Sequence, residues 1–125
     1  MANTYKNEKD ITLNGVTITL RPSFENMANV ESKLGSIAYI AWKFSTFATN
    51  MKNLPGLSEL TTIIYYFQAA HDKESGKTLL SLEDVYNHVA AEGVFKMITP
   101  MLEFLSQCTA GNKAQPSVSD AVKKN

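Results

Sequence analysis

The sequence predicts an α+β fold, an N-terminal β-hairpin packed on a bundle of four to five short α-helices, and three observations predict it. Asn14-Gly15 is flanked by alternating apolar and polar residues on both sides. Apolar residues then recur at three- and four-residue spacing in four successive segments. Caps and breakers, Ser23, Gly35, Ser36, Ser81 and Gly93 among them, punctuate those segments.

The hairpin spans residues 9–21. A type I′ turn needs φ > 0 at both central residues, and Asn-Gly tolerates this best. With Asn14-Gly15 as the whole loop, Leu13 faces Val16 and Ile11 faces Ile18. Ile11, Leu13, Val16, Ile18 and Leu20 then share one face, and Thr12, Thr17 and Thr19 the other. A lone hairpin is marginal in water, so its apolar face requires a cover.

Pro22 stops the second strand, and Ser23 is placed to cap the first helix. Phe24, Met27, Val30, Glu31 and Leu34 form its stripe, closed by Gly35. A second helix restarts at Ser36 with Ile37, Ile40, Ala41, Phe44, Phe47 and Ala48 inward, and residues 50–56 read as a loop. The third helix runs from Ser58 to about His71, with Leu60, Ile63, Ile64 and Phe67 facing in. Residues 72–78 form a charged loop. Ser81-Leu82-Glu83-Asp84 resembles a capping box, and the helix it opens carries Leu82, Val85, Tyr86 and Val89 as far as Glu92-Gly93. The fifth segment, 94–108, is apolar almost all round, and Pro100 kinks or splits it. Residues 1–8 are expected to be loose, 9–108 to form one domain, and 109–125 to be a disordered tail. The expected core comprises Leu13, Val16, Ile18, Phe24, Val30, Ile40, Phe44, Ile63, Phe67, Val89 and Ile98.

Composition narrows function. Apolar content of 44% with 19% charge excludes a disordered chain. Twelve basic and twelve acidic side chains give zero formal charge, which removes the field needed to meet phosphates and leaves self-association unopposed. No nucleic acid, membrane or small-molecule substrate is expected as a partner. A lone cysteine, Cys108, and a polar start with no signal peptide suit a reducing cytoplasm.

The catalytic inventory is thin, and neither an enzyme nor a cofactor or metal is expected. Asp84, His88 and Glu92 lie at i, i+4, i+8 on one helix face, and three ligands from one helix seldom converge. They read as a solvated, charge-paired face. Cys108 reads as a buried, inert thiol. His71 reads as a helix C-terminal residue meeting the negative end of the dipole. The aromatic surplus is more informative. It either fills the core or forms a partner surface, and the candidates for such a surface are Tyr39, Trp42, Tyr65 and Tyr66. The fifth segment is apolar on too many faces for four short helices to cover, which points to a homo-oligomer.

The order of features resembles the phage tail assembly chaperones, in the branch that includes tail proteins of gene transfer agents and siphophage-like prophages. The resemblance rests on Ile11-Thr12-Leu13-Asn14-Gly15, Leu20-Arg21-Pro22-Ser23-Phe24, Glu31 and Leu34-Gly35. Leu57-Ser58-Glu59-Leu60 and Leu80-Ser81-Leu82-Glu83-Asp84-Val85 extend it over residues 9–108. It departs from the family in the longer loop 72–78 and in bulkier aromatics on the second and third helices. The resemblance implies a non-enzymatic protein in the host cytoplasm that binds the tape measure protein. It would keep that protein soluble until tail tube subunits polymerise around it, with the tail tube protein as a further partner. The runner-up is a structural tail component, a tube or connector subunit retained in the virion. A helix-turn-helix regulator over residues 58–92 ranks below both, because the chain is neutral and its third helix is apolar.

Overall fold

Two antiparallel strands, β1 (Lys9–Leu13) and β2 (Val16–Leu20), pair in the register the turn demands, with Leu13 opposite Val16 and Ile11 opposite Ile18. Asn14 and Gly15 both take positive φ, 51° and 82°. The computed structural model describes residues 8–71 and 76–110. Residues 1–7, part of the loop at 72–78 and residues 111–125 of the expected tail lie outside the described residues. Five helices follow the hairpin: α1 (Phe24–Leu34), α2 (Ile37–Asn50), α3 (Leu57–Phe67), α4 (Leu82–Glu92) and α5 (Val94–Ala110). Among the described residues, no helix is long and apolar enough to cross a membrane.

The helix starts follow their caps. Ser23, Ser36 and Ser81 accept hydrogen bonds from the backbone N–H groups of Asn26, Tyr39 and Asp84. Gly35, at φ 93°, separates α1 from α2. Glu31 does not lie in the apolar stripe. It is exposed, and its carboxylate accepts the Ile37 N–H at 3.0 Å, which places a negative charge at the N-terminus of α2. A single core then forms from Ile11, Leu13, Ile18 and Leu20 of the hairpin and from Val30, Ile40, Phe44, Ile63, Phe67, Val89, Met101 and Phe104 of the helices. The Phe67 and Phe104 rings meet edge to face at 4.8 Å.

Several expectations need correction. Phe24, assigned to the core, is 89% exposed. The inward position belongs to Asn26, which is buried and donates through Nδ2 to the Arg21 carbonyl at 2.9 Å. That bond sets the phase of α1, and Phe24 lies two residues, about 200°, away from it. Val16 is half-buried and Ala48 exposed. Leu82 and Tyr86 are exposed because α4 buries the pair Val85 and Val89, one turn apart. Thr19, assigned to the open face of the hairpin, is buried, and its hydroxyl donates to Asp10 Oδ1 at 2.6 Å.

The third helix stops at Phe67 rather than His71. The Arg21 N–H donates to the Phe67 carbonyl at 2.7 Å, and Gln68 pairs with Leu20 in an isolated bridge. A short 3-10 turn, Ala69–His71, completes the segment. The strand therefore takes over a carbonyl that a longer helix would use. Pro100 lies inside α5 without splitting it, and the helix reaches Ala110, two residues beyond the expected domain edge. Met97, Ile98 and Met101 are buried around the proline, and their packing offsets the lost hydrogen bond. Of the nine apolar residues that made α5 look too greasy, Phe95 alone is exposed. At the other end, Glu8 is held rather than loose: its Oε2 lies 2.6 Å from Arg21 Nε, with both side chains under a tenth exposed.

Gln68 joins the elements. Its Oε1 accepts the Leu80 N–H at 3.0 Å, and its Nε2 donates to the Leu80 carbonyl at 3.0 Å and to the Tyr65 carbonyl at 3.2 Å. Gln68→Ala removes the side-chain partner of the part-buried Leu80 N–H and carbonyl and is expected to lower stability by about 2 kcal/mol. Chemical denaturation measures this. A change under about 0.5 kcal/mol, the size typical of a surface substitution, would show that the amide does not hold this junction.

Candidate functional site

The four aromatic candidates divide into two pairs. Tyr39 and Trp42, one turn apart on α2, are 54% and 55% exposed. Their rings stack with centroids 5.9 Å apart and planes 20° apart. The inward face of the same helix is occupied by Ile37, Ile40, Phe44 and Phe47, so the outward rings are not needed to close the core. Lys43 Nζ sits 5.3 Å from the Tyr39 ring and 2.9 Å from the Glu59 carboxylate of α3. The one charge in α2 is thereby met by a carboxylate and an aromatic face.

Tyr65 and Tyr66 are half-buried. They meet edge to face at 4.9 Å, and His71 completes a cluster by stacking on Tyr66 at 6.0 Å and meeting Tyr65 edge-on at 5.1 Å. His71 Nε2 donates to the Tyr65 carbonyl at 2.9 Å. A carbonyl only accepts, so Nε2 carries the proton. His71 thus meets the last turn of α3, as its position beside that helix end suggested. Lys33 Nζ lies 5.7 Å from the Tyr66 ring. Among the described residues no ring contact joins this cluster to the Tyr39–Trp42 pair. The α2 pair offers open aromatic surface, and the α3 pair offers ring edges already engaged in the fold.

The helix trio divides by location. Glu92 Oε1 accepts the Asn14 N–H at 2.8 Å, and Asn14 Nδ2 donates to His88 Nδ1 at 3.5 Å. These residues clamp the hairpin tip to α4. Asp84 takes no part in these bonds and lies near the start of α4, where its backbone N–H reaches the Ser81 cap. Among the described residues no group of three or more His, Cys, Asp or Glu side chains is placed to hold a metal ion.

Sequence reasoning missed one feature. Ser58, Thr61 and Thr62 of α3 and Leu82, Glu83 and Tyr86 of α4 line an open groove of about 430 Å³. Its apolar wall comes from Leu82 and Tyr86, which the sequence placed on α4 but not in the expected core. Leu82, Val85, Tyr86 and Val89 lie within about 100° of one another around the helix, so spacing alone gave no signal that the first and third would line a groove while Val85 and Val89 are buried.

No protein-family model, curated protein or solved structure matches this chain.

Cys108 is partly buried on α5, and burial pushes its thiol up to about 12, slightly offset by a backbone hydrogen bond. The thiolate is the reactive form, so alkylation of the folded protein near pH 8 is expected to run roughly a hundredfold or more slower than in denaturant. Iodoacetamide labelling followed by mass spectrometry measures this. Equal rates folded and unfolded would show that the thiol is open to solvent.

Proposed function

We propose that this protein is a phage tail assembly chaperone, a non-enzymatic binder that covers the apolar helices of a tape measure protein before the tail tube forms. The observation that carries this reading is the Tyr39–Trp42 stack, held open on α2 beside a lysine already paired with Glu59. Rigid aromatic side chains gain contact energy at low entropy cost, and an amphipathic helix lying across them supplies the apolar stripe they fit. The sequence features from Asn14-Gly15 to Leu20-Arg21-Pro22-Ser23-Phe24 support the same reading through their resemblance to that family.

Magnitudes suit a carrier better than a permanent partner. Each half-exposed ring offers roughly 100 Å² to cover, or about 2–3 kcal/mol. Association costs about 4 kcal/mol or more in lost freedom, so the pair needs support from neighbouring contacts and gives modest affinity. A handover to polymerising tube subunits requires that the bound state be reversible. Mass action still protects the partner while free chaperone is abundant.

Co-expression with the tape measure protein of the same phage or prophage tests the proposal. Soluble tape measure is expected to appear only with this chain and to fall at least tenfold with Tyr39→Ala plus Trp42→Ala. Both residues are exposed, so the doubly substituted chain should melt within a few degrees of the parent. A tape measure that stays insoluble, with this chain retained in finished particles, favours a structural tube or connector subunit instead.

A further inference from the structure

The strand β2 has an open edge whose hydrogen-bonding groups follow from its register. In an antiparallel pair, alternate residues bond to the partner strand and the residues between them point their backbone groups away from it. The Arg21 N–H donates to the Phe67 carbonyl at 2.7 Å and so points away from β1. Counting back by twos, the backbone groups of Thr19 and Thr17 point the same way. The bridge between Leu20 and Gln68 uses the first rung of this edge. The chain then turns off through the 3-10 segment Ala69–His71, and among the described residues no backbone hydrogen bond takes up the Thr17 N–H or carbonyl on the open side. The edge borders a groove of about 450 Å³ that Ala70, Thr78 and Leu80 also line. Leu80 is fixed there by the Gln68 amide, which holds both of its backbone groups. Asp10 lines the same groove, with Oδ1 held by the buried Thr19 hydroxyl at 2.6 Å. Among the described residues its carboxylate meets no cation. Lys77, the other charged residue lining the groove, has a partner of its own.

We propose that the open edge of β2 takes an extended segment of another protein by β-strand addition, and that this segment carries a basic residue for Asp10. The backbone groups decide the class of occupant. A helix satisfies its own N–H and C=O groups, whereas an extended strand presents both to the Thr17 rung and continues the ladder that Gln68 begins. Asp10 decides the charge. It shares the outer face of the hairpin with Thr17 and Thr19, and it lies one strand behind the edge, about 5 Å. Only a long side chain spans that distance, and a Lys or Arg in the outer row of the added strand then meets the carboxylate. The alternate positions of that strand lie beside the half-buried Val16 and are apolar. A few backbone bonds and one partly screened charge give a weak, reversible site, with Kd on the order of 0.1–1 mM. The site is independent of the chaperone reading, which places a helix on α2 and not a strand on β2.

Amide hydrogen exchange of the full chain, read residue by residue by NMR, tests this with the capped peptide Ac-Thr-Val-Lys-Val-Thr-Val-NH2 at millimolar concentration. The peptide is expected to slow exchange of the Thr17 amide roughly fivefold or more. The Thr12 amide points to the opposite edge of the hairpin and is expected to keep its rate. The same peptide N-methylated at every backbone nitrogen keeps its side chains, loses its donors, and is expected to give no slowing. Because that change is made in the peptide, it leaves the fold of the protein untouched. Replacing the peptide's Lys by Glu is expected to weaken binding about three- to tenfold, and Asp10→Asn, which retains an acceptor for Thr19, is expected to remove that preference. Unchanged Thr17 exchange overturns the proposal, as does equal slowing by the methylated peptide. Equal binding of the Lys and Glu peptides overturns the role of Asp10. Slow Thr17 exchange without peptide also overturns it: a rate that falls with protein concentration assigns the edge to a second copy, and one that does not assigns it to the chain's own residues.

Discussion

The junction between β2 and α3 is the constraint on which the rest of the structure depends. The Arg21 N–H to Phe67 carbonyl bond and the Leu20–Gln68 bridge fasten the hairpin to the end of a buried helix. Gln68 then draws in the segment before α4 through both backbone groups of Leu80. Asn26 completes the corner by taking the Arg21 carbonyl, which fixes the phase of α1. Four parts of the chain meet within a few residues of one another. A two-stranded sheet has too little surface to persist alone, so its stability comes from this attachment and from the core residues it delivers.

From that corner the burial pattern follows. The hairpin lays Ile11, Leu13, Ile18 and Leu20 on the helices, and its tip is clamped to α4 through Asn14 and Glu92. The helices α2 and α5 close the other side, where Phe44, Met101 and Phe104 are fully buried. Because the core is filled from within, the aromatic residues outside it are surplus. Tyr39 and Trp42 are the clearest case, since α2 already spends Ile37, Ile40, Phe44 and Phe47 on the core. The outward rings of α2 therefore form an exposed stack beside a lysine that is paired with Glu59.

Legibility varied with distance along the chain. The Asn14-Gly15 hairpin, its register and the caps at Ser23, Ser36 and Ser81 were readable because each is decided by residues within a few positions. Of the candidate surface, the exposure of Tyr39 and Trp42 followed from a surplus of apolar residues on one helix. The engagement of Tyr65 and Tyr66 with His71 depended on where α3 ends, which the helix pattern alone misplaced. Phe24 was misread because its spacing to Met27 matches a stripe as well as the true set through Asn26 and Val30 does. The Arg21 carbonyl, between β2 and α1, and not hydrophobicity, chose between them.

The sequence by itself determined the elements of this protein, their order and the register of the N-terminal hairpin, because turn conformation, capping and helical periodicity act over a few residues. Tertiary structure alone decided where α3 stops, which face of α1 is buried, that Glu92 serves the hairpin tip, and that Phe24 stays in the open while Tyr65 and Tyr66 engage His71. Each of those outcomes depends on a backbone or side-chain group brought in from another part of the fold. Local periodicity carries no information about which such group arrives.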